Sequence, residues 1–175
     1  MKKIAEFYLQ TLVTGAKFNS SLPVAEQTLL FPEFLTKLNS CIAKYKQAHS
    51  NQDITFTETY RSNTLQLIHF NNGASKIKKN GMHHYGIAAD SIFIIDGKRS
   101  FKGDITLLRK IYKENGLSIL GMWDALHVQF IPVSDQTLLR QTVSNLLSQF
   151  QKNNGLPQTG EADAATIKAA KKVFG

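Results

Sequence analysis

Cysteine is nearly absent from this 175-residue chain: Cys41 stands alone, so no intrachain disulfide can form and nothing points to folding in an oxidising compartment. Long apolar runs are also missing. Nothing approaches the ~20 consecutive apolar residues that a bilayer-spanning helix requires. The basic start Met1-Lys2-Lys3 resembles that of a signal peptide, but Glu6 and Gln10 interrupt the next segment and no apolar h-region develops. The sequence therefore predicts synthesis and folding in the cytoplasm without a signal peptide. Acidic residues are scarce, 13 against 21 Lys and Arg, which leaves a formal net charge of +8 and favours an anionic partner. No basic helix and no interleaving of aromatic with basic residues accompanies that charge, which argues against nucleic acid. Low-complexity tracts and internal repeats are absent too.

What is present is a normal globular composition, with 42% apolar and 19% charged residues, enough for one domain with a core and a small appendage. Ile4, Phe7, Tyr8, Leu12 and Val13 recur at helical spacing across residues 2–14. Pro32 suits the first turn of a second helix reaching about His49, with Cys41 on its buried face beside Phe34, Leu38 and Tyr45. Apolar and polar residues alternate from Ile54 to Tyr60, as in a half-buried strand, and a short helix from Ser62 to Phe70 comes next. Asn71 to Gly81 reads as a loop, and residues 87–95 as a buried strand turned back at Asp96-Gly97. A helix over 103–115 is closed by Gly116, and a last strand is predicted over 127–133, with Pro132 at its end. From Ser134 onward a helical stripe runs from Leu138 to Phe150. Asp163 then caps a final helix, Ala164 to Phe174. The fold class is α+β: a small, mostly antiparallel sheet flanked by helices, with a helical C-terminal tail.

Chemistry concentrates in two stretches. In His83-His84-Tyr85-Gly86-Ile87-Ala88-Ala89-Asp90 a loop enters a buried strand, and a carboxylate beside Ile92, Phe93 and Ile94 is costly unless paired or bound to a metal. In Trp123-Asp124-Ala125-Leu126-His127 a second histidine opens a strand, with an acid three residues earlier. Two imidazoles and one carboxylate match zinc's donor preferences and leave a tetrahedral position open. Asp124 is then the natural base. By spacing alone, a metal site and ordinary structural roles are equally good accounts of these residues. The same donor types also serve non-haem iron oxygenases, but their usual His-x-Asp spacing and β-rich pattern are not found here.

The blocks His83-x-x-Gly86-x-Ala88-x-Asp90 and Trp123-Asp124-x-x-His127, with Tyr60-Arg61-Ser62-x-x-x-Gln66 upstream, resemble the signature of the zinc D-alanyl-D-alanine carboxypeptidase family. This family includes VanY-like carboxypeptidases and the L-alanyl-D-glutamate peptidases of phage endolysins. The resemblance spans roughly residues 50–132. It implies a zinc D,D-peptidase (hedgehog-like) fold, Zn2+ bound by His83, Asp90 and His127, Asp124 as catalytic acid/base and Arg61 facing the substrate. Gln66 and Trp123 are candidate substrate contacts. His84 has no role in the pattern and is expected to be exposed. Asp in place of Glu at position 124 favours the endopeptidase subgroup over the carboxypeptidases. Two departures stand out: Gly81 replaces a usual Ser, and Glu58-Thr59 replaces a usual Ser-Gly pair.

Residues 150–166 resemble the last two helices of the common peptidoglycan-binding module, whose first helix is not evident in the tail. The expected division is a catalytic domain over 1–133 and a truncated binding module over 134–175. The expected partners are peptidoglycan stem peptides and an anionic wall polymer. Lys76, Lys78, Lys79, Lys98 and Arg99 offer a source of attraction for such a polymer. A monomer acting on the wall after release or export completes the reading. The alternatives are a D-alanyl-D-alanine carboxypeptidase and a non-catalytic wall-binding protein.

Overall fold

The computed structural model describes residues 1–175. It is α+β, as the patterning predicts. Its elements are α1 (Lys2–Phe7, continued by a π-helical turn over Tyr8–Leu12), α2 (Pro32–Ala48), β1 (Gln52–Glu58), α3 (Asn63–Asn71), β2 (Ala88–Ile95), β3 (Lys98–Ser100), α4 (Ile105–Glu114), β4 (Ser118–Ile119), β5 (His127–Gln129), α5 (Gln136–Asn153) and α6 (Ala164–Phe174). The sheet runs β1-β2-β5-β4, with β3 also paired to β2, and every pairing is antiparallel. No helix is long and apolar enough to cross a membrane.

Local chemistry accounts for most boundaries. Pro32 takes the first turn of α2, where its missing N–H costs nothing. Phe34, Leu38, Cys41 and Tyr45 form the buried stripe of that helix, so Cys41 is indeed a small apolar core residue. Ser62 caps α3 by accepting from Leu65 N. Asp96 and Gly97, both at positive φ, join β2 to β3 through a tight turn whose twist matches its strands.

Two sequence expectations need correction. The strand expected over 127–133 ends at Gln129: Phe130 N still donates to Ile87 O, but Pro132 lacks an N–H and leads into a short 3-10 turn. His84 is not exposed. Only 2% of it is accessible, and it lies among Tyr8, Phe18, Tyr60 and Tyr85 with Tyr8 Oη 2.8 Å from its Nε2. Burial pushes its pKa down to about 4.

One cluster of 34 buried apolar residues runs through the whole molecule, joining Leu139, Val143, Leu147, Phe150 and Ala170 of the tail to Ile4, Ala5, Leu9 and Leu12 at the N-terminus. The first helix packs on α5, and its π-helical continuation packs on α6. In the other direction it reaches the sheet side through Phe7 against Phe31 and Tyr8 against Tyr85. The two chain ends therefore close on one another.

The tail carries a measurable acid sensitivity. Asp163 caps α6, its carboxylate accepting from Thr166 N at 2.9 Å and from the Thr166 and Thr159 hydroxyls. The Thr166 backbone bond, aided by the hydroxyls, holds its pKa below the ordinary value. A depressed folded-state pKa stabilises the fold above the unfolded value of about 3.9 and stops doing so as pH falls through the folded one. Asp163→Ala is expected to cost about 1 kcal/mol near pH 7. That difference should shrink as pH falls below the unfolded value of about 3.9 and on through the folded one, in paired urea titrations.

Candidate metal and catalytic site

Glu58, Asp90 and His127 are direct cross-strand partners on β1, β2 and β5. Residues opposite one another in antiparallel strands present their side chains to the same face, so the three form a row across the sheet. His83 joins that row from the one-turn 3-10 helix Met82–Tyr85. The turn ends on Gly86 at φ +67°, where a Cβ would lie 2.3 Å from Leu29 O. Only glycine fits there. Gly86→Ala is expected to destabilise the fold by about 2 kcal/mol or more through backbone strain and the clash. The check is a lower urea midpoint at unchanged slope.

The donor atoms converge tightly. Asp90 Oδ1 lies 3.0 Å from His127 Nδ1 and 3.2 Å from His83 Nε2, and the two ring nitrogens are 3.3 Å apart. This nearly equilateral triangle has edges close to the ~3.3 Å that separate ligands around a tetrahedral ion bound at ~2.0–2.1 Å. Three atoms so placed compete for the same few protons as hydrogen-bond partners, whereas one cation satisfies all three. The triangle thus joins the three residues the sequence picks out, and the donor set fits zinc. Burial disfavours the Asp90 carboxylate, but the His83 and His127 imidazoles outweigh it and hold its pKa well below the usual range. His127 moves the other way. Burial opposes its charge, yet Asp90, with help from Asp124 and Gln129, raises its pKa.

Gln129 plays a part that the motifs do not reveal. Its Nε2 donates to Ile131 O at 2.6 Å, which fixes the amide, and its Oε1 then faces His127 Nε2 at 3.3 Å. An acceptor there keeps the proton on Nε2 and leaves the Nδ1 lone pair for a metal. Two residues along the same strand, Gln129 shares the face of His127, and that spacing was a legible signal. His83 has no comparable support, since its buried Nδ1 lacks a partner.

Asp124 sits at the rim, with Oδ2 3.9 Å from His127 Nδ1, and burial raises its pKa above the normal carboxylate value. It therefore stands beside the triangle without belonging to it. The loop carrying it is pinned by Arg109, which donates to Ala125 O at 3.0 Å and to Leu120 O at 2.5 Å. Next to it Trp123 is 80% exposed, an aromatic face open to solvent at the edge of the site.

Arg61 approaches Asp90 from the opposite side, with Nη2 3.3 Å from Oδ2. Glu58 accepts from its Nε at 2.8 Å and from Nη2, and Gln66 Oε1 accepts from Nη1 at 3.4 Å. Burial works against the guanidinium charge, but the carboxylates of Glu58, Asp90 and Asp124 outweigh it. The Gln66 amide also donates to Ser75 Oγ and Ile77 O, so it ties Arg61 to the loop before His83. Among the basic loop residues, Lys79 pairs with Glu161 of the tail at 2.7 Å.

A solved structure similar to this chain is the Serratia marcescens L-Ala D-Glu endopeptidase ChiX, at 16% identity and a TM-score of 0.48, the match covering 64% of this chain and 92% of that one. No curated protein sequence matches the chain. Residues 133–170, which take in α5 and most of α6, match the family model described as a putative peptidoglycan binding domain.

Proposed function

We propose that this protein is a zinc-dependent peptidase that cuts the stem peptides of peptidoglycan, at the L-alanyl-D-glutamate bond. The observation that carries the reading is the His83–Asp90–His127 triangle, two buried imidazoles and a partly buried carboxylate with zinc-sized edges, flanked by one carboxylate and one guanidinium that do not belong to it. His83 Nε2, Asp90 Oδ1 and His127 Nδ1 are the atoms that would hold the ion. Zinc there supplies a Lewis acid that polarises a carbonyl and makes water acidic enough to ionise near neutrality. Asp124 takes the proton of the attacking water. As the water oxygen bonds to the carbonyl carbon and the C–N bond breaks, Asp124 returns that proton to the leaving amine, leaving a carboxylate and a free amine. Arg61 faces the carbonyl oxygen as negative charge builds on it. Residues 134–175 add wall affinity, supported by the family match over 133–170 and by the +8 net charge suited to an anionic polymer. The internal bond is preferred over a terminal one because position 124 is Asp.

The test is digestion of purified peptidoglycan with zinc-loaded protein, with and without a chelator, followed by mass spectrometry. New D-glutamyl N-termini that vanish with chelator and return with zinc are expected. Release of terminal D-alanine would instead make it a D-alanyl-D-alanine carboxypeptidase. No new termini despite bound zinc would leave a non-catalytic wall-binding protein.

A further inference from the structure

Glu58 stands where the family resemblance leads one to expect serine, and its carboxylate is used entirely inside the protein. Its side chain is 6% exposed, and Arg61 is its ion-pair partner. One oxygen, Oε2, accepts from both Nε and Nη2 of Arg61, while the other, Oε1, is buried without a partner. Arg61 cannot swing away without stranding Glu58 as an uncompensated buried charge. A guanidinium carries five N–H donors. In Arg61, Nε–H goes to Glu58, the two Nη2 protons go to Glu58 and Asp90, and one Nη1 proton goes to Gln66. A single Nη1 proton is left over. Gripping a carboxylate side-on takes two parallel N–H bonds from one fork, and that fork is already spent.

We propose that Glu58 is a positioning residue that converts Arg61 from a carboxylate receptor into a one-bond contact for a carbonyl oxygen, so that the site does not depend on a free carboxylate beyond the scissile bond. The inference rests on the peptidase reading and deepens it, since it names the substrate class as an internal stem-peptide bond. It comes from the hydrogen-bond inventory of Arg61, not from the identity of residue 124. The bulge in β1 between Phe56 and Glu58 supplies the geometry, because it sets Glu58 directly opposite Asp90 with Arg61 between them.

Two measurements test it, one of which needs no catalysis. In metal-free protein, the Arg61 Nε–H should give an NMR signal that exchanges slowly with water, and Glu58→Gln should speed that exchange at least about 10-fold, since a neutral amide replaces the charged acceptor. Rapid exchange in the wild type would overturn the clamp. For the substrate, an N-acylated L-Ala–D-Glu peptide is prepared with both D-Glu carboxyls either free or amidated. Its affinity is measured on zinc-loaded Asp124→Ala protein and kcat/KM on zinc-loaded protein with Asp124 intact. With Glu58 present, the two peptides should agree within about 3-fold. With Glu58→Gln, the free form should gain about 10-fold over the amidated one, as two charge-assisted bonds become possible. A strong preference for the free form with Glu58 present, or a ratio unmoved by Glu58→Gln, would refute the specificity claim. A slow Arg61 signal in protein that neither binds nor cuts either peptide would uphold the clamp, refute the claimed specificity and defeat the peptidase reading itself.

Discussion

Asp124→Asn is expected to lower kcat for stem-peptide cleavage by about 10²–10⁴-fold, the span general acid–base catalysis normally supplies. Asparagine keeps the size and hydrogen bonding of the side chain but cannot accept and return a proton. Because Asp124 lies outside the donor triangle, 3.9 Å from His127 Nδ1, zinc affinity should stay within about 3-fold of wild type. That split identifies the base. A variant of a proposed ligand such as His127→Ala should lose zinc and activity together, whereas Asp124→Asn should lose turnover with the metal in place. Metal content from elemental analysis and kcat from the same preparation decide the matter. A fall in kcat smaller than about 5-fold with zinc bound would move the proton-accepting role elsewhere. The loop around Asp124 supports a rate effect over a folding effect, since Arg109 pins its backbone at Leu120 and Ala125 whatever side chain stands at 124.

The parts of this site that could be read from sequence are those that fall in contiguous blocks. His83 and Asp90 are linked through one turn and one strand start, and Asp124 and His127 through another, so short spacing carries the geometry. Glu58 could not be read the same way. It appears as a departure from a pattern, and only the cross-strand register shows that it faces Asp90. The burial of His84 is not legible in the sequence, because its hydrogen-bonding partners Tyr8 and Tyr60 lie 76 and 24 residues away. The two-residue strand β4 is too short to show any period, and it exists because Ser118 and Ile119 pair with Gln129 and Val128. The alternation around β1 and the capping residue Asp163 are local signals, and each appears where it was expected. Long-range pairing is what escaped.

Removal of residues 134–175 should unfold the remainder, not release a free catalytic domain. Leu139, Val143, Leu147 and Phe150 are each nearly or fully buried in the cluster that also holds Ile4, Leu9 and Leu12. Burial of each such side chain contributes about 1.5–3 kcal/mol, so losing four forfeits about 6–12 kcal/mol, comparable to the 5–15 kcal/mol stability of a whole domain. A truncated 1–133 chain is therefore expected to aggregate or to show no cooperative thermal transition in calorimetry. The tail also reaches towards the His83–Asp90–His127 triangle. Arg140 of α5 donates from Nε to Asn80 O at 3.1 Å, and Asn80, at φ +59°, is held by both ends of the Asn63 amide two residues before Met82 and the His83 turn. Arg140→Gln leaves the apolar cluster untouched but frees that loop. It should weaken zinc binding by about 10-fold, as loss of outer support for a ligand typically does. Its thermal midpoint without metal should stay within a few degrees of wild type, in line with a cost of about 1 kcal/mol. A stable, zinc-binding 1–133 fragment would show that the tail is an appendage to the site. Unfolding of the fragment together with weak zinc binding by the point variant would show that residues 134–175 and the proposed metal site form one structural unit, in which the loop before His83 is held in place from α5.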